Sequence, residues 1–287
     1  MLRKYLVVLV ALLISSTMQA APPTSKPAQS GYAPVNGLRM YYEIHGTING
    51  AQPPLVLLHG GGSTIQSTFG RILPEFARTR QVIAVESQAH GHTADIDRPS
   101  SAQQDADDVA ALLGQLNIKK ADFMGFSNGG TDCLQIAIRH PQLVNKLVLL
   151  SAPWKRDGFA PGFFEGFQNA TLEKMMPSPL KEAYLQANPD PRGLQAMFDK
   201  DVARMRAFQD ISDDEIKRIA APALVMNGDA EVVRAESALA LSRTLPRGQL
   251  AILPGGHGDY IGEICAPDKN STIPLLVTGM IEEFLRK

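Results

Sequence analysis

Short apolar runs recur along the chain at Leu55–Leu58, Val82–Val85, Ala121–Phe126, 146–150, 223–226 and 249–253. None shows the strict apolar/polar alternation of a half-buried strand. They predict strands covered on both faces, as in a parallel sheet lying between layers of helix. Amphipathic stretches near 64–79, 101–116, 128–140, 234–245 and 271–286 separate them and predict helices. Alternating β and α elements of this kind build an open, mostly parallel α/β sheet. Ahead of the first run, Asn36-Gly37 sits between apolar-rich stretches 32–35 and 38–44. That dipeptide predicts a tight hairpin, because both turn positions need positive φ. One stretch breaks the rhythm: from 151 to 221 there are roughly seventy residues without a clear buried strand, too many for a structureless loop inside a compact domain. It carries Phe159, Phe163, Phe164, Phe167, Met175, Met176, Met197 and Phe208. A helical insertion at about 153–220 is expected, partly packed on itself and partly a lid over an apolar pocket.

Length and charge narrow the picture. The chain has 287 residues, with Lys+Arg 28 against Asp+Glu 29, enough for one large α/β domain, here 32–287. No basic run suited to a phosphate backbone occurs, which excludes nucleic acid as the expected partner and leaves a small, weakly charged molecule. The N-terminus predicts export. Arg3 and Lys4 precede an apolar stretch from Leu6 to Ile14, then Ser15, Ser16, Thr17 and a small-residue step at Ala20 and Ala21. Residues 1–20 are the expected signal peptide, and the mature protein is placed in the periplasm or outside the cell. The apolar stretch is far shorter than the ~20 residues that span a bilayer, so no stable membrane insertion is expected after cleavage. Residues 21–31, rich in Pro and Ser, are an expected flexible lead-in. Cys133 and Cys265 are either a pair or two free thiols, and neither lies in a metal or redox motif.

The sharpest chemical signal is Gly125-Phe126-Ser127-Asn128-Gly129, directly after an apolar strand and opening a helix. G-x-S-x-G in that context places a nucleophilic serine on a strained strand-to-helix turn, with glycines where chains pass closely. A second signal is His59-Gly60-Gly61-Gly62 after Leu55–Leu58. Small residues there let an amide near Gly61 join the N–H of Asn128 as an oxyanion hole. No Lys-Ser/Thr follows those glycines, as a phosphate loop would need. Of the 6 histidines, His257 lies in a loop just past the last strand, where catalytic groups of open α/β sheets gather. It also completes the chain order Ser, acid, His. His59 is read as structural, and His90 and His92 as part of a loop near the site mouth. Two acids, Asp229 and Glu231, follow the strand at 223–226, and either can hold an imidazole.

These motifs, in this order, resemble the α/β-hydrolase superfamily from about Tyr32 to Lys287. The resemblance extends to Ala89-His90-Gly91-His92-Thr93, which is similar to the superfamily's Gly-His-Gly-x-Ser/Thr loop with Ala in place of the first Gly. It implies an α/β-hydrolase fold with a small helical lid, and a triad of Ser127, His257 and the fourth residue of Gly-x-x-acid. That residue is Glu231, with Asp229 in reserve, and Glu departs from the commoner Asp. A serine nucleophile implies acyl chemistry without metal or organic cofactor, in the branch of carboxylesterases, lactonases and haloperoxidase-like hydrolases. The expected substrate is a small, apolar ester or lactone. The competing expectations are an aminopeptidase, with Glu86 or the lid holding the free amine, and a non-catalytic binding protein.

Overall fold

The computed structural model describes residues 26–48 and 52–287. The expected signal peptide, residues 1–20, lies outside the described residues. Eight strands form one sheet: β1 (Gln29–Val35), β2 (Leu38–His45), β3 (Leu55–Leu58), β4 (Val82–Val85), β5 (Ala121–Phe126), β6 (Val144–Leu150), β7 (Ala223–Gly228) and β8 (Gly248–Leu253). Their order is β1-β2-β4-β3-β5-β6-β7-β8. β1 and β2 are antiparallel, joined through Asn36 (φ 47) and Gly37 (φ 85). β2 meets β4 antiparallel, and every pairing from β4 to β8 is parallel.

The helices are α1 (Ile65–Phe69), α2 (Leu73–Ala77), α3 (Ala102–Gln115), α4 (Asn128–Arg139), α5 (Leu172–Met175), α6 (Ser178–Ala187), α7 (Pro191–Arg206), α8 (Asp213–Lys217), α9 (Ala235–Thr244) and α10 (Ile273–Arg286). Alternate strand residues feed two cores. Val56, Leu58, Ile83, Phe123, Leu147 and Val225 pack with residues of α3, α4, α8 and α9. Leu55, Leu57, Ala84, Met124, Val148 and Met226 pack with residues of α1, α2 and α10. That split is the period of two in a strand, read out on both faces at once. No helix among the described residues is long and apolar enough to cross a membrane.

Four expectations change. The helix near 64–79 is two, α1 and α2, separated at 70–72 by Gly70, whose position leaves no room for a Cβ beside the Gln66 carbonyl. The strand at 249–253 is not covered on both faces: Leu250 and Ile252 of β8 are 37% and 39% exposed, because β8 is the sheet edge. The lead-in stops short of residue 31, since Gln29, Ser30 and Gly31 already pair with β2. Within the inserted segment, Ile211, Ile216 and Ile219 belong to the main core, so its last part is body rather than lid.

The order of the sheet places the functional site. After β3 the chain goes outward to β4, then returns to the other side of β3 as β5. The carboxyl ends of β3 and β5 therefore flank a topological switch point, where open α/β sheets form their crevice.

Candidate active site

Ser127 stands between the end of β5 and the start of α4 with φ 54 and ψ −118, a conformation costly for a residue with a Cβ. Neighbouring glycines make the turn possible. A Cβ on Gly125 would stand 2.0 Å from the Gly129 carbonyl oxygen, and one on Gly129 would stand 2.2 Å from the Leu58 carbonyl oxygen. Both obstacles are backbone, so no side-chain rearrangement relieves them. Ser127 N–H donates to Leu150 O at 2.8 Å, which ties the elbow to β6.

The loop after β3 is oriented by side chains. His59 Nδ1 bonds Gly60 O at 2.8 Å, and Ser87 N–H donates to His59 Nε2 at 3.1 Å. One partner accepts and the other donates, so His59 is a neutral imidazole protonated at Nδ1. Burial first, then the neighbouring His90 charge, drives its pKa down to about 3. Holding Gly60 O on His59 turns the N–H of Gly61 the opposite way across the trans peptide. The amides of Gly61 and Asn128 have no acceptor among the described residues. A Cβ on Gly61 would stand 2.6 Å from Asn128 Nδ2, so the two amide-bearing residues touch.

His257 Nδ1 bonds Glu231 Oε2 at 2.6 Å. The Glu231 side chain is wholly buried, and its Oε1 accepts from Gly228 N–H at 2.6 Å and from Ser151 Oγ at 2.8 Å. Ser151 in turn bonds the Tyr260 hydroxyl at 2.8 Å. With a carboxylate on Nδ1, His257 carries its proton there and leaves Nε2 as an acceptor. Asp229 takes another part: its Oδ1 accepts from Gly255 N–H at 2.9 Å and braces the loop that carries His257. Of the two acids left open by the sequence, the structure brings Glu231 to the imidazole. The Phe126 ring lies against that imidazole at 4.6 Å between centroids.

Ser127, Asn128, Gly61 and His257 line one cavity of about 440 Å³. The rest of its wall is mostly apolar and comes largely from the inserted segment, including Phe159, Phe163, Met176, Leu180 and Met197. Some of the insertion's apolar residues thus face the cavity, while Phe164 and Phe208 pack on Phe159.

One group in that wall had no signal in the sequence. Asp201, on α7, accepts from Gly62 N–H at 2.5 Å and bonds His90 Nε2 at 3.2 Å, both through Oδ2. His90 Nδ1 also bonds a carbonyl, Gln88 O, at 2.9 Å. Both partners of the ring are acceptors, which makes the imidazolium the state that satisfies them. Burial lowers the pKa of His90, but the Asp201 carboxylate more than reverses this and holds it above the usual value. Arg204, one turn along α7, bonds Asp105 and Asp132. A helical stretch that reads as amphipathic gives no hint that Asp201 and Arg204 point inward, because their partners lie 72 to 139 residues away in the sequence.

The other candidates sit elsewhere. Glu86 is buried and engaged, accepting from His92 N–H at 2.6 Å, His92 Nδ1 at 2.9 Å and Ile65 N–H at 3.3 Å. It does not line the cavity, so it is no amine site there. His45 bonds Glu43, and His140 bonds Asp107, away from the serine. Cys133 is buried and Cys265 exposed, both as free thiols.

A family model described as the alpha/beta hydrolase fold matches residues 53–180. The chain is 29% identical over 233 residues to a 2-hydroxymuconate semialdehyde hydrolase of Pseudomonas sp. (strain CF600), covering 71% of this chain and 80% of that one. It is 27% identical over 236 residues to a 2-hydroxy-6-oxo-2,4-heptadienoate hydrolase of Pseudomonas putida, covering 74% and 84%. The enol-lactonase of Burkholderia xenovorans LB400 superposes with a TM-score of 0.68 at 20% identity, over 89% of this chain and all (100%) of that one. Strand order, elbow and relatives converge on one conclusion: the chain has the α/β-hydrolase fold, and the relatives it resembles are hydrolases.

Proposed function

We propose that this protein is a serine hydrolase that opens a small, mainly apolar carboxylic ester or lactone through an acyl-enzyme. The observation that carries the reading is the 2.6 Å bond from His257 Nδ1 to the buried Glu231, in the same cavity as Ser127 and the two free amides. His257 Nε2 takes the proton of Ser127 Oγ as that oxygen adds to the substrate carbonyl. The oxyanion settles on the N–H groups of Gly61 and Asn128, each worth about 3 kcal/mol of barrier. The intermediate collapses, His257 protonates the leaving alcohol, and a water molecule repeats the cycle to release the acid. Side chains and amides of this chain carry every step, without a cofactor.

A fluorophosphonate tests the reading directly. Intact-protein mass spectrometry should show one adduct, mapping to Ser127 and absent in His257→Ala. A folded protein that takes no label sinks the assignment. A second reading, hydrolysis of a C–C bond, is favoured by the names of the two relatives above. Turnover of 2-hydroxy-6-oxo-2,4-heptadienoate in preference to simple esters and lactones would establish it.

Export is part of the proposal and rests on the charged, apolar and small-residue succession at the N-terminus. N-terminal sequencing of the protein recovered from its native host should begin at Ala21. A cytoplasmic protein beginning at Met1 would refute export.

A further inference from the structure

We propose that Asp201 sets specificity in this cavity by selecting acyl groups that bear a neutral hydrogen-bond donor, a hydroxyl or an amide N–H, close to the scissile carbonyl. The proposal rests on the serine-hydrolase reading and adds the substrate class. Asp201 is the carboxylate among residues that line an otherwise largely apolar wall. Its side chain is 15% exposed. Its Oδ2 is taken by Gly62 N–H and His90 Nε2, whereas its Oδ1 has no hydrogen bond among the described residues. An ionised carboxylate offers about four acceptor positions, so a partly buried one with a bare oxygen is an incomplete site. A donor on the substrate completes it in the complex.

The place of the carboxylate relates it to the chemistry. A Cβ on Gly61 would stand 3.2 Å from Asp201 Oδ2. The carboxylate therefore borders the residue whose amide is proposed to hold the oxyanion. A substrate donor near the carbonyl lies within its reach, and an acid at the same point is repelled.

Charge balance decides between a neutral donor and an ammonium. His90 meets Asp201 as an imidazolium, for the reason given by its two acceptor partners. Arg204 lies between Asp105 and Asp132, and burial raises the pKa of both carboxyls. The negative charge of Asp201 is already answered. An ammonium would bring an extra charge into an apolar cavity, which costs more than the contact returns. A hydroxyl or amide N–H brings none.

The test uses matched esters of butanoic acid: unsubstituted, hydroxy, methoxy, ammonio and carboxy, with the substituent at the 2- or the 3-position. Hydroxy and methoxy differ in the donor and share the ether or hydroxyl oxygen. A site built around a donor rejects the analogue that lacks one. At one of the two positions, kcat/KM for the hydroxy ester should exceed that for the methoxy ester by about tenfold or more, with the ammonio ester below the hydroxy ester. In D201N the amide oxygen stays on Gly62 N–H and turns Nδ2 toward the cavity, so the preference should move to the methoxy ester. Equal rates for hydroxy and methoxy esters in the unaltered protein overturn the proposal, as does an unchanged preference in D201N. An ammonio ester that outruns the hydroxy ester overturns its choice of a neutral donor. If D201N does not fold, the ratio in the unaltered protein decides alone. Failure of the hydrolase reading looks different: no fluorophosphonate adduct forms at Ser127 and no ester in the panel turns over, which overturns both. An adduct at Ser127 together with a ratio of one overturns only the role of Asp201.

Discussion

Ser127→Ala should bring ester turnover down by about a millionfold, the scale on which loss of a serine nucleophile is felt, while the protein stays folded. The first half follows from the proposed chemistry, since alanine has no oxygen to acylate. The second follows from the backbone. Ala keeps the Cβ, so the strain at φ 54 is unchanged, and the Ser127 hydroxyl makes no hydrogen bond among the described residues that folding would miss. Ser127→Gly separates strain from chemistry. It should be equally inactive yet more stable by about 1 kcal/mol, the relief of an unfavourable φ less the extra chain entropy of glycine. Ester turnover and thermal unfolding midpoints measure both effects. Residual activity within tenfold of the unaltered protein would remove Ser127 from the mechanism, and a lower midpoint for Ser127→Gly would refute the strain.

Glu231→Gln should lower kcat by about ten thousandfold, as when the triad acid of a serine protease becomes its amide. The two oxygens of Glu231 serve different partners. Oε1 accepts from Gly228 N–H and Ser151 Oγ, and Oε2 faces His257 Nδ1. Glutamine has one oxygen, and the two donors at Oε1 claim it. Its NH2 is then aimed at Nδ1, which must give up its proton and become an acceptor. The proton moves to Nε2, where His257 can no longer take one from Ser127. Asp229→Asn should leave turnover within a few-fold, because Asp229 braces Gly255 and does not meet the imidazole. Steady-state kinetics of the two amide variants distinguish the acids. A large loss in Asp229→Asn with little in Glu231→Gln would reverse their roles.

The chain announces its sheet because strands covered on both faces are continuous apolar runs, and those runs sit within a residue or two of β3 to β8. It announces Ser127 and the loop at Gly61 for a related reason. Both depend on glycines at fixed offsets: Gly125 and Gly129, where a Cβ would meet backbone a few residues away or on the next strand, and the run from Gly60 to Gly62 directly after β3. The same local logic misjudged β8, since an apolar strand at an edge and one inside a sheet carry the same pattern. It missed the break at Gly70 because Ile65 and Phe69 of α1 and Leu73 and Phe76 of α2 enter the same core, together with Ile72 between them.

What sequence alone determined about this protein is therefore the alternation of elements, the elbow, the glycine loop and the late histidine, all written in short-range patterns. Tertiary structure alone decided that Glu231 rather than Asp229 meets His257. It alone placed Ser151 and Tyr260 behind that carboxylate, and Asp201 against Gly62 and His90. A turn after a strand selects between two acids by a rotation that residue types do not encode. A hydrogen bond from residue 201 to residue 62 depends on how the inserted helices settle over the sheet, and no periodicity within either segment records it.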